Sequence, residues 1–324
     1  MKQEELKQYL AELKELTNIE SPTASIEGVN SVAKWFKNKA ETLGLKHETV
    51  ALGTDTAADC LLISNNPNAA KFDVLFVAHM DTVFPVGSVQ NTPFTQNEGR
   101  VNALGVIDDK GGALLSLYVI KELDLGKINV ALFLNSHEET VSNFAKEKIR
   151  EYARKSKFCL VMEPAREDGS MVATRKGVMS YVIEFYGVGA HAGNHPELGR
   201  SALVEAANFV VELSKLTDFA AGHTFNSIIT NGGTAQNVVP EFASVTCEMR
   251  YKFASSVEFF NKKLDEILSK GIVNGVTHKK ILINEEAPMI DEQNLPRIKA
   301  IFDEVAKETG AKVSWVDAGG LSDG

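Results

Sequence analysis

The stretch Val74-Leu-Phe-Val-Ala-His79-Met-Asp81-Thr-Val83 decides how this chain is interpreted. A short run of apolar, β-prone residues of this kind predicts a buried strand that ends at the histidine. Side chains alternate between the faces of a strand, so His79 and Asp81 point the same way. They stand where open α/β sheets bind ligands, beyond the carboxyl ends of the strands. The pair suggests a metal-binding imidazole whose tautomer is fixed by a carboxylate, although an ordinary polar strand end has the same pattern.

Two further apolar runs end in acidic residues. The predicted strand at 129–135 leads into Glu138 and Glu139, and the run at 158–162 leads into Glu163. Strands that alternate with helices form a largely parallel sheet, and their carboxyl ends lie along one edge of it. We therefore expect these acids to lie beside the histidine of the first strand.

Asp108 lies just before an apolar helix that begins at Ala113. An aspartate in this place can be an ordinary N-cap. The pair Gly111-Gly112 costs helix stability in a first turn, which suggests a close approach there. So many carboxylates repel each other unless a cation neutralises them. Carboxylates together with an imidazole suit zinc, with cobalt or manganese as substitutes.

The chain changes character at Gly177, where the order of predicted elements becomes β-α-β-β-α-β, the pattern of ferredoxin-like domains. The predicted fold is α/β, a mostly parallel sheet flanked by helices, with an inserted α+β ferredoxin-like domain. We assign residues 1–176 to the first part of a catalytic domain, 177–286 to a lid or dimerisation domain, and 287–324 to the second catalytic part. An N-terminal helix stops at Ile19-Glu20-Ser21-Pro22-Thr23, which we interpret only as a helix break.

Composition narrows the class of protein. The 324 residues are 44% hydrophobic and 24% charged, as in ordinary globular proteins. The net charge of −9 argues against a nucleic-acid partner. The three cysteines are widely spaced in apolar runs, which predicts buried thiols and argues against a thiolate site. The charged start and the lack of a long apolar run predict a cytoplasmic protein without a membrane anchor.

Six motifs occur in a fixed order, and they carry a resemblance to a known family. They are His79-Met-Asp81-Thr-Val83, Asp108-Asp-Lys-Gly-Gly112, Glu138-Glu139, Met162-Glu163-Pro164-Ala165, Gly189-Ala-His191-Ala-Gly193 and Gly319-Gly320-Leu-Ser-Asp323-Gly324. The chain resembles the zinc-dependent peptidases and deacylases that include glutamate carboxypeptidases, acetylornithine deacetylases and succinyl-diaminopimelate desuccinylases. It looks most similar to the bacterial glutamate carboxypeptidases.

The resemblance implies a role for each matching residue. His79, Asp108 and Glu163 would hold one zinc, and Asp108 would bridge to a second zinc held also by Glu139. Glu138 would be the general base, and Asp81 would orient the histidine. The substrate-binding residues implied are His191, Asn237, Arg250, Gly319 and Gly320. For Arg250, an exposed strand arginine is the plain alternative. His191 would reach the active site of the neighbouring subunit in a homodimer formed through 177–286.

The function implied is hydrolysis of an amide bond next to a free carboxylate, in a small peptide or N-acyl amino acid. A water molecule activated by two zinc ions per subunit would release a C-terminal glutamate or a similar amino acid. One alternative is a deacylase of the acetylornithine or succinyl-diaminopimelate type. Another is an inactive, metal-poor binding or dimerisation protein, because the family's last metal-binding histidine has no match here and the chain looks C-terminally truncated.

Overall fold

A computed structural model describes residues 2–140, 144–290, 293–320 and 322–324. The chain divides into two compact units. The first comprises Met1–Pro164 with Ser322–Gly324, and the second comprises Ala165–Leu321.

The first unit is an α/β layer structure. Its elements are α1 (Gln3–Thr17), α2 (Ile26–Thr42), β1 (Lys46–Val50), β2 (Cys60–Ser64), β3 (Phe72–His79), β4 (Thr95–Asn97), β5 (Arg100–Asn102), α3 (Lys110–Glu122), β6 (Val130–Asn135), α4 (Lys146–Arg154) and β7 (Ser156–Val161).

The central sheet of the first unit has the strand order β1-β2-β6-β3-β7. β3 lies between β6 and β7 and pairs parallel with both, with His79 opposite Asn135 and Val77 opposite Val161. β1 and β2 add an antiparallel edge, so the sheet is mixed. The parallel core brings the carboxyl ends of three strands together, and the predicted α/β class is confirmed.

Alternate residues of β3 face two separate cores. Phe76 and Ala78 pack with apolar residues of α1, α2 and α3 on one face of the sheet. Leu75 and Val77 pack with Ile149 of α4 on the other face. Both faces are therefore covered, as a strand apolar at every position requires. One expectation about the cysteines is wrong: Cys159 on the edge strand β7 is exposed, whereas Cys60 and Cys247 are buried.

The start of α3 explains the glycine pair. A Cβ atom on Gly112 would lie 2.1 Å from the carbonyl oxygen of Met162 and 2.2 Å from Oδ1 of Asp109. A Cβ on Gly111 would lie 2.3 Å from the carbonyl oxygen of Val106. Only glycine permits this approach, which brings the turn after Asp108 against the chain that follows β7.

The second unit contains the ferredoxin-like domain. Its elements are β8 (Met171–Arg175), β9 (Gly177–Tyr186), α5 (Ala202–Ser214), β10 (Thr224–Asn231), β11 (Phe242–Tyr251), α6 (Ser256–Ser269), β12 (Thr277–Glu286), α7 (Leu295–Thr309) and β13 (Trp315–Ala318). Four of the strands form an antiparallel sheet in the order β10-β11-β9-β12. α5 and α6 share an apolar core with it. The predicted β-α-β-β-α-β domain is confirmed, and β8 pairs parallel with β13 beside it.

Helix length and hydropathy bear on membrane insertion. Within the described ranges, the structure contains no helix with both the length and the apolar character to span a bilayer.

Candidate metal centre

His79 is the buried centre of the site, with 1% of its surface exposed. Its Nδ1 lies 3.0 Å from the backbone oxygen of Asp81, and its Nε2 lies 2.9 Å from Oδ1 of Asp108. A carbonyl oxygen can only accept a hydrogen bond, so Nδ1 of His79 carries the proton. The other ring nitrogen, Nε2, faces the carboxylate of Asp108. This is the tautomer that leaves Nε2 available as a metal ligand.

Asp81 is fully buried and serves two parts of the site. Its Oδ1 lies 3.4 Å from Nδ1 of His79, farther than the backbone oxygen of Asp81 at 3.0 Å, and the orienting role of the carboxylate stays a prediction. The same carboxylate accepts hydrogen bonds from the backbone amides of Glu138, at 3.1 Å on Oδ1, and Glu139, at 3.1 Å on Oδ2. Asp81 therefore fixes the turn that presents the glutamate pair.

Two groups of potential ligand atoms share His79. One group is His79, Glu138 and Glu163, and the other is His79, Asp108 and Glu139. Within each group the ligand atoms all lie within 4.8 Å of one another. The structure thus brings together every predicted metal ligand and the predicted general base. The assignment of His79, Asp108 and Glu163 to one ion stays a prediction, because these groups combine the residues differently.

Burial and mutual repulsion perturb the titration of the glutamates. Burial raises the pKa of Glu138 to about 9; His79 opposes this rise, and Asp323 and Glu163 add to it. Burial likewise raises the pKa of Glu139 to about 7, with Asp108 and Asp81 adding to the rise. Burial is thus the main cause of both shifts, and the neighbouring carboxylates add to them.

The residues fit a divalent cation. Burial alone would lower the pKa of His79, but hydrogen bonds to Asp108 and Asp81 raise it well above its ordinary value. The 2.9 Å separation of Nε2 and Oδ1 requires either a shared proton or a shared cation, since both atoms otherwise present lone pairs. A cation would also relieve the repulsion that raises the glutamate pKa values. Imidazole nitrogen with carboxylate oxygens is a donor set that zinc accepts.

Three residues near the site were not predicted. Asp109, rather than Asp108, occupies the N-cap position of α3; it is fully buried and its Oδ2 accepts the amide of His79 at 3.3 Å. Its Oδ1 finds no hydrogen-bond partner among the described residues. Asn135 donates to both carboxylate oxygens of Asp323, at 3.0 and 2.9 Å. Burial raises the pKa of Asp323 to about 6. The position of Asn135 opposite His79 in the parallel sheet was the signal available for it.

The substrate residues implied by the resemblance lie in the second unit. His191 is exposed, and its Nδ1 accepts the backbone amides of Gly193 and Asn194 at 3.1 Å each. Nδ1 is therefore the acceptor, and Nε2–H remains as a donor. Asn237 is exposed and its carbonyl accepts the amide of Ala192 at 2.9 Å, which ties the loop of Asn237 to the His191 loop.

Arg250 and the glycine pair meet within the second unit. Nη1 of Arg250 donates to the carbonyl of Gly319, and its Nε donates to Glu248 at 2.7 Å. Nη1 of Arg175 donates to the carbonyl of Gly320 at 3.2 Å. Two guanidinium groups thus hold adjacent glycine carbonyls, and sequence analysis had identified only one of them.

Known proteins similar to this chain agree with this architecture. A peptidase dimerisation domain, that of the M20 family, matches residues 173–276. Carboxypeptidase G2 from a Pseudomonas species is 28% identical over 261 residues, which cover 78% of this chain and 62% of that protein. Succinyl-diaminopimelate desuccinylase from Rickettsia bellii is 24% identical over 339 residues, covering 96% of this chain and 84% of that protein.

A solved structure has the same fold. The aminopeptidase PepT from Bacillus cereus superimposes with a TM-score of 0.78 at 21% identity, covering 98% of this chain and 86% of that one. The ordered motifs, the domain match and these relatives agree with one another. Over residues 173–276 the chain matches the M20 peptidase dimerisation domain, and over most of its length it is similar to a carboxypeptidase and to desuccinylases.

Proposed function

We propose that this chain is a metal-dependent hydrolase that cleaves an amide bond next to a free carboxylate, with release of a C-terminal glutamate or a similar amino acid. The observation that carries the proposal is that Glu138 lies with His79 and Glu163 in one group of candidate ligand atoms, within 4.8 Å of one another, while His79, Asp108 and Glu139 form a second such group. The similarity to carboxypeptidase G2 supports the choice of a carboxypeptidase.

The proposed ligands would hold zinc, with Co²⁺ or Mn²⁺ as substitutes, and a complete second zinc site would need one ligand besides these. A bound ion of this kind polarises a substrate carbonyl and lowers the pKa of a coordinated water. Glu138 takes the proton of the attacking water at a carboxylate oxygen and returns it to the leaving nitrogen. In the metal-free chain burial raises the pKa of Glu138 to about 9, and a neighbouring cation would lower it and favour the charged carboxylate that a general base requires at neutral pH.

Residues of the second unit would bind the substrate. Arg250 can offer N–H groups to the free carboxylate in bidentate geometry, supported by Asn237 and the backbone of Gly319 and Gly320. We propose a homodimer formed through residues 177–286, in which His191 of one subunit donates Nε2–H to the oxyanion in the other subunit. The dimerisation-domain match supports this arrangement.

A second candidate is an N-acyl amino acid deacylase. The alignment with succinyl-diaminopimelate desuccinylase, which covers 96% of this chain, favours it. Both reactions hydrolyse an amide and differ in the group that is recognised.

A substrate panel with zinc-loaded protein tests the proposal and separates the candidates. The panel contains dipeptides and N-acyl compounds ending in glutamate, together with N-acetylornithine and N-succinyl-diaminopimelate, and released amine is measured. We expect the highest kcat/KM with a C-terminal glutamate, and loss of activity when its α-carboxylate is amidated. Preference for acetylornithine or succinyl-diaminopimelate would establish the deacylase instead. Absence of hydrolysis across the panel in a metal-loaded dimer would contradict both.

A further inference from the structure

The connector at residues 19–23, between α1 and α2, contacts the segment that follows β3 and the start of α3. Oγ of Ser21 donates to the carbonyl of Met80 at 2.8 Å, and the amide of Thr82 donates to the carbonyl of Ser21 at 2.8 Å. Pro22 forms a β-bridge with Thr82. These contacts hold the residues on either side of Asp81, although the sequence indicated only a helix break here.

The preceding residues of the connector extend this attachment. The carboxylate of Glu20 accepts the amides of Gly87 and Val89, at 2.8 Å each. The carbonyl of Ile19 accepts Nζ of the buried Lys110, which follows the Asp108–Asp109 pair. The connector is therefore fixed to the segment that follows His79 and to the first residue of α3, close after Asp108.

Thr23 makes a direct hydrogen bond to the carboxylate of Asp81. Its side chain is 7% exposed, and Oγ1 donates to Oδ2 of Asp81 at 2.6 Å. The same Oδ2 accepts the amide of Glu139, while Oδ1 accepts the amide of Glu138 and faces His79. Because a carboxylate moves as a rigid plane, the donor on one oxygen also sets the direction of the other.

We propose that Thr23 is a positioning residue of the metal centre. It fixes the rotation of the Asp81 carboxylate, and through it the imidazole of His79 and the backbone of the Glu138–Glu139 turn. Without the hydroxyl, the Asp81 carboxylate loses one hydrogen-bond donor. The carboxylate plane is then held only by the amides of Glu138 and Glu139 and by His79, which are the groups that it positions. Groups that support metal ligands in this way typically change metal affinity or activity by about 10- to 100-fold when removed.

The variants are chosen to separate the hydroxyl from general stability. Thr23→Val removes the hydroxyl at constant shape, and Thr23→Ser retains it. Thr17→Val is the matched control, because Thr17 is 2% exposed and its Oγ1 donates to the carbonyls of Leu13 and Lys14 in α1, away from the site. If Thr23→Val does not fold, Thr23→Ala takes its place, and urea unfolding verifies each variant.

The first measurement needs neither metal nor turnover. Hydrogen–deuterium exchange of the metal-free protein follows the peptide that contains Glu138 and Glu139, whose amides Asp81 accepts. We expect about tenfold faster exchange of these amides in Thr23→Val and wild-type exchange in Thr23→Ser and Thr17→Val. A peptide covering β2 serves as the internal reference.

The second measurement is Co²⁺ affinity by titration calorimetry. It rests on the proposed metal site, whereas the exchange experiment does not, so failure of one is distinguishable from failure of the other. We expect about 10- to 100-fold weaker binding in Thr23→Val and recovery to within about threefold in Thr23→Ser. Wild-type exchange and affinity in Thr23→Val, or equal losses in Thr17→Val, would overturn the positioning role.

Discussion

The stability of the metal-free first unit should fall as the pH rises from 5 to 8. The cause is the set of acids whose pKa values are raised in the folded chain, to about 9 for Glu138, about 7 for Glu139 and about 6 for Asp323, chiefly by burial. The folded state retains protons that the unfolded state releases above about pH 4.5. Stability is therefore complete below that pH and is lost as the pH rises through the folded pKa values.

The magnitude is worked from the pKa shift of Glu139. The pKa of Glu139 rises from 4.5 to about 7, and the part of this shift that falls between pH 5 and 8 corresponds to about 2–3 kcal/mol. Solvent screening of a partly exposed side chain reduces it to about 1 kcal/mol. Glu138 and Asp323 act in the same direction, so we expect a total loss of about 2 kcal/mol.

Urea unfolding followed by tryptophan fluorescence measures this loss. The chain has two tryptophans, and in a Trp315→Phe background Trp35 of α2 alone reports on the first unit. Glu139→Gln should flatten the pH dependence by about 1 kcal/mol, while the exposed Glu122→Gln should leave it unchanged. With Zn²⁺ bound the slope should reverse, because the ligands must lose their protons to bind. Metal-free stability that is constant or rises between pH 5 and 8 would refute this explanation of the cluster.

Three further outcomes follow from the same contacts. Gly112→Ala should destabilise the first unit by about 1–3 kcal/mol and weaken Co²⁺ binding. The control Gly126→Ala should change the free energy of unfolding by less than about 0.5 kcal/mol, because the nearest atom to its added Cβ is 3.5 Å away. Equal effects of the two variants in urea unfolding would argue against the close approach at α3. Arg250→Lys should raise KM at least about tenfold with kcat little changed, since bidentate carboxylate binding is lost; a lowered kcat at constant KM in steady-state assays would contradict that role. Calorimetric Co²⁺ affinity should fall by about tenfold per pH unit below pH 7, where Glu139 retains its proton; a pH-independent affinity would exclude Glu139 as a ligand.

Local patterns were enough to predict the edge on which the site lies. The runs that lead into His79, Glu138 and Glu163 are apolar at nearly every position. Parallel strands require such a sequence when both faces of their sheet are covered. Their carboxyl ends then share one edge by the rules of sheet topology. The ferredoxin-like domain was predictable for the same reason, because its alternating strands and apolar helix faces are short-range patterns.

The supporting hydrogen bonds were not predictable in this way. The Thr23–Asp81 contact joins residues 58 positions apart, and the Asn135–Asp323 contact joins residues 188 positions apart. A threonine in a helix break and an asparagine at a strand end are common surface residues. These two residues acquire a role in the site only because the fold buries them beside a carboxylate that needs hydrogen-bond donors.

The most direct test of the central claim is the kcat of a Glu138→Gln variant in zinc-loaded protein, measured with the best substrate of the panel and with metal content determined in the same sample. The substitution keeps the shape of the side chain and removes its capacity to accept a proton. We predict a fall in kcat of about 10²- to 10⁴-fold with metal still bound, the range that loss of a general base produces. A Glu138→Gln variant that binds metal and turns over within about threefold of the parent chain would contradict the assignment of Glu138 as the base.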